Sequence, residues 1–285
     1  MNDRVRQLRR ESLDAVPSVS IERALLLTEF YRENEGRWPA PLMRAHAFHH
    51  LCTRKGLYLG EGELVVGERG PAPKATPTYP EITIHSAEDL EILSSRPLTN
   101  YHVDAADISR YADEVIPYWQ GRTLRERCLE ALPEEWHEAY EAGVFTEFME
   151  QRAPGHTVAD GKIYRKGLVD FRAEIAAAID ALGDDPSPES RARREQLEAM
   201  DVAADAAIVY ARRHADLARE KAVDEADPQR RAELERIAEV CERVPAHAPR
   251  DFHEALQAYW FYHLGVITEL NGWDAFNPGH LDQHL

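Results

Sequence analysis

The apolar positions of this chain recur mostly at helical spacing. Leu168, Phe171, Ile175, Ile179 and Leu182 return every three or four residues, which puts them on one helix face. Trp136, Tyr140, Val144 and Phe148 repeat at steps of four and predict a helix over 134–149. Ser20 stands where an N-cap would start a helix with Ala24, Leu25, Leu27 and Thr28 on its buried side, ending near Gly36. Pro41 opens the next helix, through "LMRAHAFHHLCTRKG". "SAEDLEILSSRP" has the Ser-x-x-Asp start of a helix. Further helices are predicted over 104–120, 123–131, 188–222, 229–243 and 252–268, the last with Asp251 and Glu254 as a capping box. One short apolar run between glycines, "ELVVGERG", predicts a strand.

The breaks between these elements carry the more interesting residues. "PAPKATPTYPE" holds four prolines in residues 71–80 and cannot be helical. Thr78 and Tyr79 are poor linker residues, so this loop is expected to lie ordered on the domain. "GDDPSPES" is the one stretch that reads as a flexible break. In "FMEQRAPGHTVADGK", Pro154 and Gly155 break the chain and present His156 on a loop. "TELNGWDAFNPGHLDQ" follows the most apolar helix and places Asp274 beside Trp273 and Phe276. A carboxylate among aromatics is costly unless paired, and can serve as a tuned acid or base or as an anchor for a cation. Histidine, with an ordinary pKa of about 6.5, is a natural partner for it. Spacing alone leaves a His156–Asp274 pair open against two separate turn residues.

Composition narrows the function. A chain of 285 residues can bury a substantial core as one large domain or two ordinary ones. A net charge of −17 speaks against nucleic acid or an anionic membrane as partner. "MNDRVRQLRRESLDA" lacks the apolar centre of a secretory signal, and no apolar run reaches the ~18 residues of a membrane span. Cys52, Cys128 and Cys241 are far apart, with no CxxC, as expected of a reducing cytoplasm. Nucleotide-binding glycine motifs are absent, and "GEGELVVGERG" has no helix start behind its glycines. His46, His49 and His50 share a helix face but lack the Glu and third ligand that zinc wants, so a packed or solvated face is the stronger reading and no metal is expected. Cys128 lies two residues from Glu130 in "RERCLEAL", but on a helix positions i and i+2 point apart, so it reads as a structural cysteine.

Several long motifs, in order, resemble the N-terminal third of the glycyl radical enzymes related to pyruvate formate-lyase. They are "SIERALLLTEFY", "GELVVGERG", "PTYPEI", "DEVIPYWQGR", "AYEAGVFTEFMEQRAPGHTVADGKIYRKG", "VPAHAPRDFHEALQAYWF" and "TELNGWDAFNPGHLDQHL". The nearest branch is the one that dehydrates trans-4-hydroxy-L-proline. The resemblance implies an α/β fold in which residues 1–285 are a helix-dominated first part of a ten-stranded α/β barrel, within one pyruvate formate-lyase-like domain. It implies a lyase in which a thiyl radical starts the elimination of water and leaves a pyrroline carboxylate. It implies a glycyl radical installed by a radical S-adenosylmethionine iron–sulfur activating enzyme as partner, no cofactor bound directly by this chain, a small-molecule substrate, and a homodimer at full length. By motif, Phe148 becomes an apolar wall of the substrate pocket, and His156 and Asp274 a polar pair lining it. The family's Gly-Cys-x-Glu thiyl loop and Arg-Val-x-Gly-Tyr radical motif are absent from these residues. The chain alone is therefore expected to be inactive: a fragment, a truncated product or one half of a split enzyme. The alternatives on the same scaffold are formate acetyltransfer, diol or glycerol dehydration, C–N or C–S cleavage and arylacetate decarboxylation. A non-catalytic helical partner-binding protein is the alternative of another class.

Overall fold

The computed structural model describes residues 2–144 and 160–270. Its axis is α10 (Pro188–Asp224), a helix of 37 residues capped by Ser187, whose side chain accepts from Ser190 N. At a rise of 1.5 Å per residue this is about 55 Å long. Its buried face is largely alanine (Ala204, Ala206, Ala211, Ala215, Ala218 and Ala222) with Tyr210 and His214 between them. Side chains this small let neighbours approach closely, and α3 (Ala40–Arg54), α9 (Leu168–Leu182), α11 (Pro228–Arg243) and α12 (Phe252–Glu269) all pack on α10. Phe48, Cys52, Leu234, Ile237, Phe261 and Leu264 close this core.

A second core forms around α2 (Glu22–Glu33), where Ile21, Ala24, Leu27 and Phe30 meet Leu51, Leu90, Tyr111 and Trp119. Trp119 Nε1 donates to Thr28 Oγ1 at 2.8 Å, so the one polar atom of the largest ring is satisfied inside. α1 (Asp3–Asp14) lies outside with no buried residue. Beside α2, β1 (Ser18–Ser20) and β2 (Ala75–Pro77) pair in parallel, Ser18 opposite Ala75 and Ser20 opposite Pro77. The proline-rich stretch is thus ordered on the domain, as the sequence predicts. The smaller helices α4 (Ala87–Ser95) and α7 (Leu124–Glu130) start at full capping boxes, Ser86 with Asp89 and Thr123 with Glu126.

Four local expectations are corrected. Ser20 belongs to β1; helix α2 begins two residues later, and Ser20 Oγ accepts from Glu22 N at 3.4 Å without capping the first turn. The 104–120 helix is three pieces, α5 (Ala105–Arg110), a π turn over Tyr111–Val115 and α6 (Ile116–Trp119). The π turn directs both Tyr111 and Val115 into the second core, where each is fully buried. The 134–149 pattern gives α8 (Glu134–Glu141), and residues 142–144 after it are not helical.

"ELVVGERG" forms no strand. Its backbone bonds to side chains instead: Gln257 of α12 donates to Val66 O at 2.9 Å and accepts from Val66 N at 2.8 Å. Trp260 Nε1 donates to Gly67 O at 2.7 Å and Tyr210 OH to Glu68 O at 3.2 Å. A buried amide side chain satisfies the groups that a neighbouring strand would otherwise take. Gly67 has φ +112°, and a side chain there would run into Leu264 and His214, so this position needs glycine.

Candidate functional site

A concentration of buried polar groups lies at the C-terminal end of α12. Any helix leaves its last carbonyls without intrahelical partners. Here Ile267 O accepts from Tyr79 OH at 2.7 Å, and Thr268 O accepts from Arg23 Nε at 2.7 Å. Lys55 Nζ donates to Thr268 Oγ1 at 3.3 Å and to Arg69 O at 3.1 Å. The Arg44 guanidinium donates to Glu269 Oε1 at 2.6 Å through Nη2 and 3.0 Å through Nε. Arg23 comes from α2, Arg44 and Lys55 from α3 and the residue just after it, and Tyr79 from the loop after β2. Cations at this end also face the negative pole of the helix dipole.

Arg23 is the centre of this arrangement. It is 5% exposed, on the face of α2 that otherwise buries Ala24, Leu27 and Thr28. It makes a two-pronged ion pair with Glu81, donates to Thr78 O at 3.2 Å, and lies 4.2 Å from the centre of the Tyr79 ring. Burial works against its charge, but Glu81 outweighs this and holds the guanidinium above its ordinary pKa. Lys55 is 4% exposed and, among the described residues, has no carboxylate within ion-pair distance; burial pulls it down to about 8. Burial pushes the Glu269 carboxyl up, with Arg44 pulling the other way, and pushes Tyr31 up to about 12.

Along α12 from this end runs an apolar groove of about 970 Å³, bounded by α3, α9, α10 and α12. Phe48, Phe171, Ile175, Met200 and Val266 line it, and Arg44 and Glu269 are charged groups at its wall. Leu270, the last described residue before the Asp274 stretch, also lines it.

Phe148, His156 and Asp274 lie outside the described residues. α8 precedes Phe148 in the chain, and α12 ends five residues before Asp274. The three histidines of α3 go separate ways. His46 stacks on Trp38 at 4.3 Å, His49 Nε2 lies 3.2 Å from Asp205 Oδ2, and His50 packs against Phe30. Among the described residues no three His, Cys, Asp or Glu side chains are grouped to hold a metal ion. Cys52 is buried with its thiol pushed up to about 12; Cys241 is buried and pushed up as well. Neither is an available thiolate. Cys128 sits partly exposed on α7.

The sequence reading singled out Tyr79 and Thr78 as ordered but missed Arg23, Lys55, Arg44, Glu81 and Glu269. A trace of Arg23 was there: it is a charge at helical spacing from Leu27 and Phe30 on an otherwise apolar stripe. Its partners are 55 to 245 residues away, beyond what spacing can reach.

The model for pyruvate formate lyase-like proteins matches residues 1–285. The chain belongs to the pyruvate formate lyase-like family. It is 46% identical over 283 residues to the trans-4-hydroxy-L-proline dehydratase of Clostridioides difficile, covering 99% of this chain and 36% of that protein. The crystal structure of that hydroxyproline dehydratase with trans-4-hydroxy-L-proline bound superimposes with a TM-score of 0.94 at 45% identity, over 100% of this chain and 36% of the other. The glycerol-bound B12-independent glycerol dehydratase of Clostridium butyricum gives a TM-score of 0.94 at 29% identity, with 100% and 36% covered. A glycyl radical enzyme of Archaeoglobus fulgidus gives 0.89 at 29%, with 99% and 36% covered. The chain therefore spans about a third of the length of the relatives it matches. Its fold is the one the resemblance implied, a helix-dominated part of the α/β barrel of glycyl radical enzymes; among the described residues it shows only two short strands. Among the described residues no helix is long and apolar enough to cross a membrane.

Proposed function

We propose that this chain is the N-terminal part of a glycyl radical lyase that removes water from trans-4-hydroxy-L-proline to give a pyrroline carboxylate. The observation that carries this reading is the 46% identity to a trans-4-hydroxy-L-proline dehydratase across 283 residues. In this reading residues 1–285 form one pyruvate formate-lyase-like unit that builds the outer helices and one side of the pocket. The hydrogen-atom chemistry belongs to a cysteine and a glycyl radical outside these residues, the radical being installed by a radical S-adenosylmethionine iron–sulfur activase. The whole enzyme is a cytoplasmic homodimer.

This chain's own part is binding and orientation. Phe148 walls the apolar edge of the pyrrolidine ring. Asp274 supplies a carboxylate for the ring ammonium, and His156 a polar contact beside it. Cys52 and Cys241 stay protonated and buried, and have no part in the reaction.

The test uses the full-length protein, activated anaerobically and assayed for the pyrroline product. Asp274→Asn and His156→Ala are each expected to lose about 100-fold in turnover, the size of effect that misplacing a substrate brings. The glycyl radical signal in electron paramagnetic resonance should keep its intensity. Unchanged turnover in both variants takes these residues out of the pocket. Absence of product from hydroxyproline in the fully radicalised wild type refutes the substrate.

A further inference from the structure

We infer that His214 is an acid-sensitive latch: protonation of its ring releases the loop of residues 64–69 from α10 and α12. His214 is fully buried, on the face of α10 that packs into the core. The Tyr210 and Phe261 rings lie against it, with ring centres 4.6 and 5.4 Å away. Its Nδ1 is 2.9 Å from Tyr210 O. A carbonyl only accepts, so Nδ1 carries the proton and Nε2 is the bare nitrogen of a neutral ring. Among the described residues Nε2 has no hydrogen-bond partner. It faces the loop at Gly67, where a β-carbon would come within 3.3 Å of Nε2 and 2.8 Å of Leu264.

A second proton on this ring finds no acceptor. It turns Nε2 into a charged donor, and an unpaired buried charge is among the costliest groups a core can hold. The surrounding groups do not relieve it. Arg213 on α10 and Lys55 after α3 are positive and oppose another cation. Cys52 of α3 and Cys241 of α11 are thiols held protonated by burial. α12 presents Phe261 and Leu264, while its His263 stacks on Tyr259 and Trp260 instead. Glu68 and Arg69 follow Gly67 in the loop, and neither reaches Nε2. Burial is the largest of the effects that hold the ring neutral down to about pH 4, with Lys55 and Arg213 adding to it and the bond to Tyr210 O opposing it.

The part that gives way is the loop. Among the described residues no backbone ladder holds it. Side chains do: Gln257 on both backbone groups of Val66, Trp260 on Gly67 O, Tyr210 on Glu68 O and Lys55 on Arg69 O. His253 Nε2 donates to Leu64 O at 2.6 Å, a bond that a protonated ring also makes. An opening wide enough for one water hydrates the imidazolium and leaves the long helices packed. Above the ordinary histidine value of about 6.5 the ring is neutral whether the loop is closed or open. Below it the open form takes a proton that the closed form refuses, so opening is favoured as pH falls. Each pH unit through this window multiplies the opening constant by up to about ten.

The experiment follows amide hydrogen exchange in the full-length protein, with each rate divided by its intrinsic rate at that pH. The Val66 amide, which donates to Gln257, should open up to about 100-fold more between pH 6.5 and 4.5. Amides in the middle of α10, such as Ala206, should change less than threefold. In His214→Leu the Val66 response should shrink to less than threefold. Should that variant fail to fold, the ring carbon signals of His214 in the wild type decide instead, and the ring should titrate well below the ordinary value. A flat Val66 amide in the wild type overturns the inference. So does an equal response in His214→Leu, which assigns it to other groups, and so does opening shared by α10, which is acid unfolding of the whole domain. A His214 ring that titrates near 6.5 overturns it as well.

Discussion

The two ends of α12 solve the same problem with opposite charges and opposite reach. At the N-terminal end Asp251 Oδ1 accepts from Glu254 N at 2.9 Å, a helix cap of the usual kind. Glu254 does not complete the expected capping box with Asp251. Its fully buried carboxylate accepts from Arg250 N at 2.7 Å and from the Arg250 guanidinium at 2.6 Å, with Arg243 at 3.3 Å and Arg236 at 3.4 Å. Every partner lies within 18 residues. At the C-terminal end the centre is a cation, Arg23, and the partners lie up to 245 residues away. Both arrangements suit the helix dipole, which favours anions at the start and cations at the end. The first can assemble within the α11–α12 pair. The second exists only after α2, α3, the proline-rich loop and α12 have met. The C-terminal end is thus fixed by the whole fold and the N-terminal end by its own neighbourhood.

The comparison is broken most sharply at Glu254. Removing one partner of a buried ionic cluster costs about 3–5 kcal/mol. The three guanidinium side chains are 30–58% exposed and can turn to water, so Glu254→Ala is expected near the lower bound, about 3 kcal/mol. Urea unfolding measures this. If the two ends have separate duties, kcat/KM per folded enzyme stays within twofold of wild type. A loss of activity much larger than twofold would show that α12 moves as one body and that its ends cannot be assigned different roles.

Acid and alkali sharpen the contrast, because the ends titrate on opposite sides of neutrality. Burial alone would raise the Glu254 carboxyl, but Arg250 and its backbone N–H outweigh this and hold it below its ordinary value. A lowered carboxylate contributes stability that is present above the unfolded pKa and is lost as pH falls through the folded one. The N-terminal end therefore loosens in acid. Lys55 is pulled from 10.5 to about 8 by burial. Below 8 both states hold the proton. Between 8 and 10.5 the unfolded chain holds it and the folded chain releases it, so the contribution to stability rises with pH. Across that window the wild type should gain on Lys55→Met by at most about 3 kcal/mol, from 1.36 kcal/mol per pKa unit. Cys52, held up at about 12 by burial, is coupled to Lys55, so the comparison is made in a Cys52→Ala background for both proteins. A difference flat from pH 8 to 10.5 would mean that Lys55 keeps its proton in the fold.

What could be read from the sequence follows the same division. α9, α10, α11, α12 and the capping box at Ser86 depend on neighbours within a few residues, and periodicity and capping rules found them. "ELVVGERG" went wrong because its apolar run is as good for a strand as for a loop: the deciding partner, Gln257, is 191 residues on. The 104–120 pattern could not show that Tyr111 and Val115 would be brought to one core by an extra residue in the turn. Loop position singled out His156 and Asp274, but the pocket roles of Phe148, His156 and Asp274 came from motif resemblance and not from periodicity. Arg23 stayed hidden because a lone arginine on an apolar stripe becomes meaningful only when its partners are known.

The smallest effect is expected at Tyr79, and it isolates the distal end most cleanly. Tyr79→Phe keeps the ring under the Arg23 guanidinium, 4.2 Å away, and deletes only the hydroxyl that donates to Ile267 O. Loss of one hydrogen bond costs about 1 kcal/mol. It should appear locally, as faster hydrogen exchange of the amides in the last turn, including Leu270 N, which donates to Val266 O at 2.9 Å. Amides in the first turn, such as Glu254 N on Asp251, should exchange at the wild-type rate. Equal acceleration at both ends would mean that the hydroxyl supports the helix as a whole, and that the distal end is no more specialised than the local one. Acceleration confined to the last turn would show that the C-terminal end of α12 can be loosened by itself, independently of the N-terminal end.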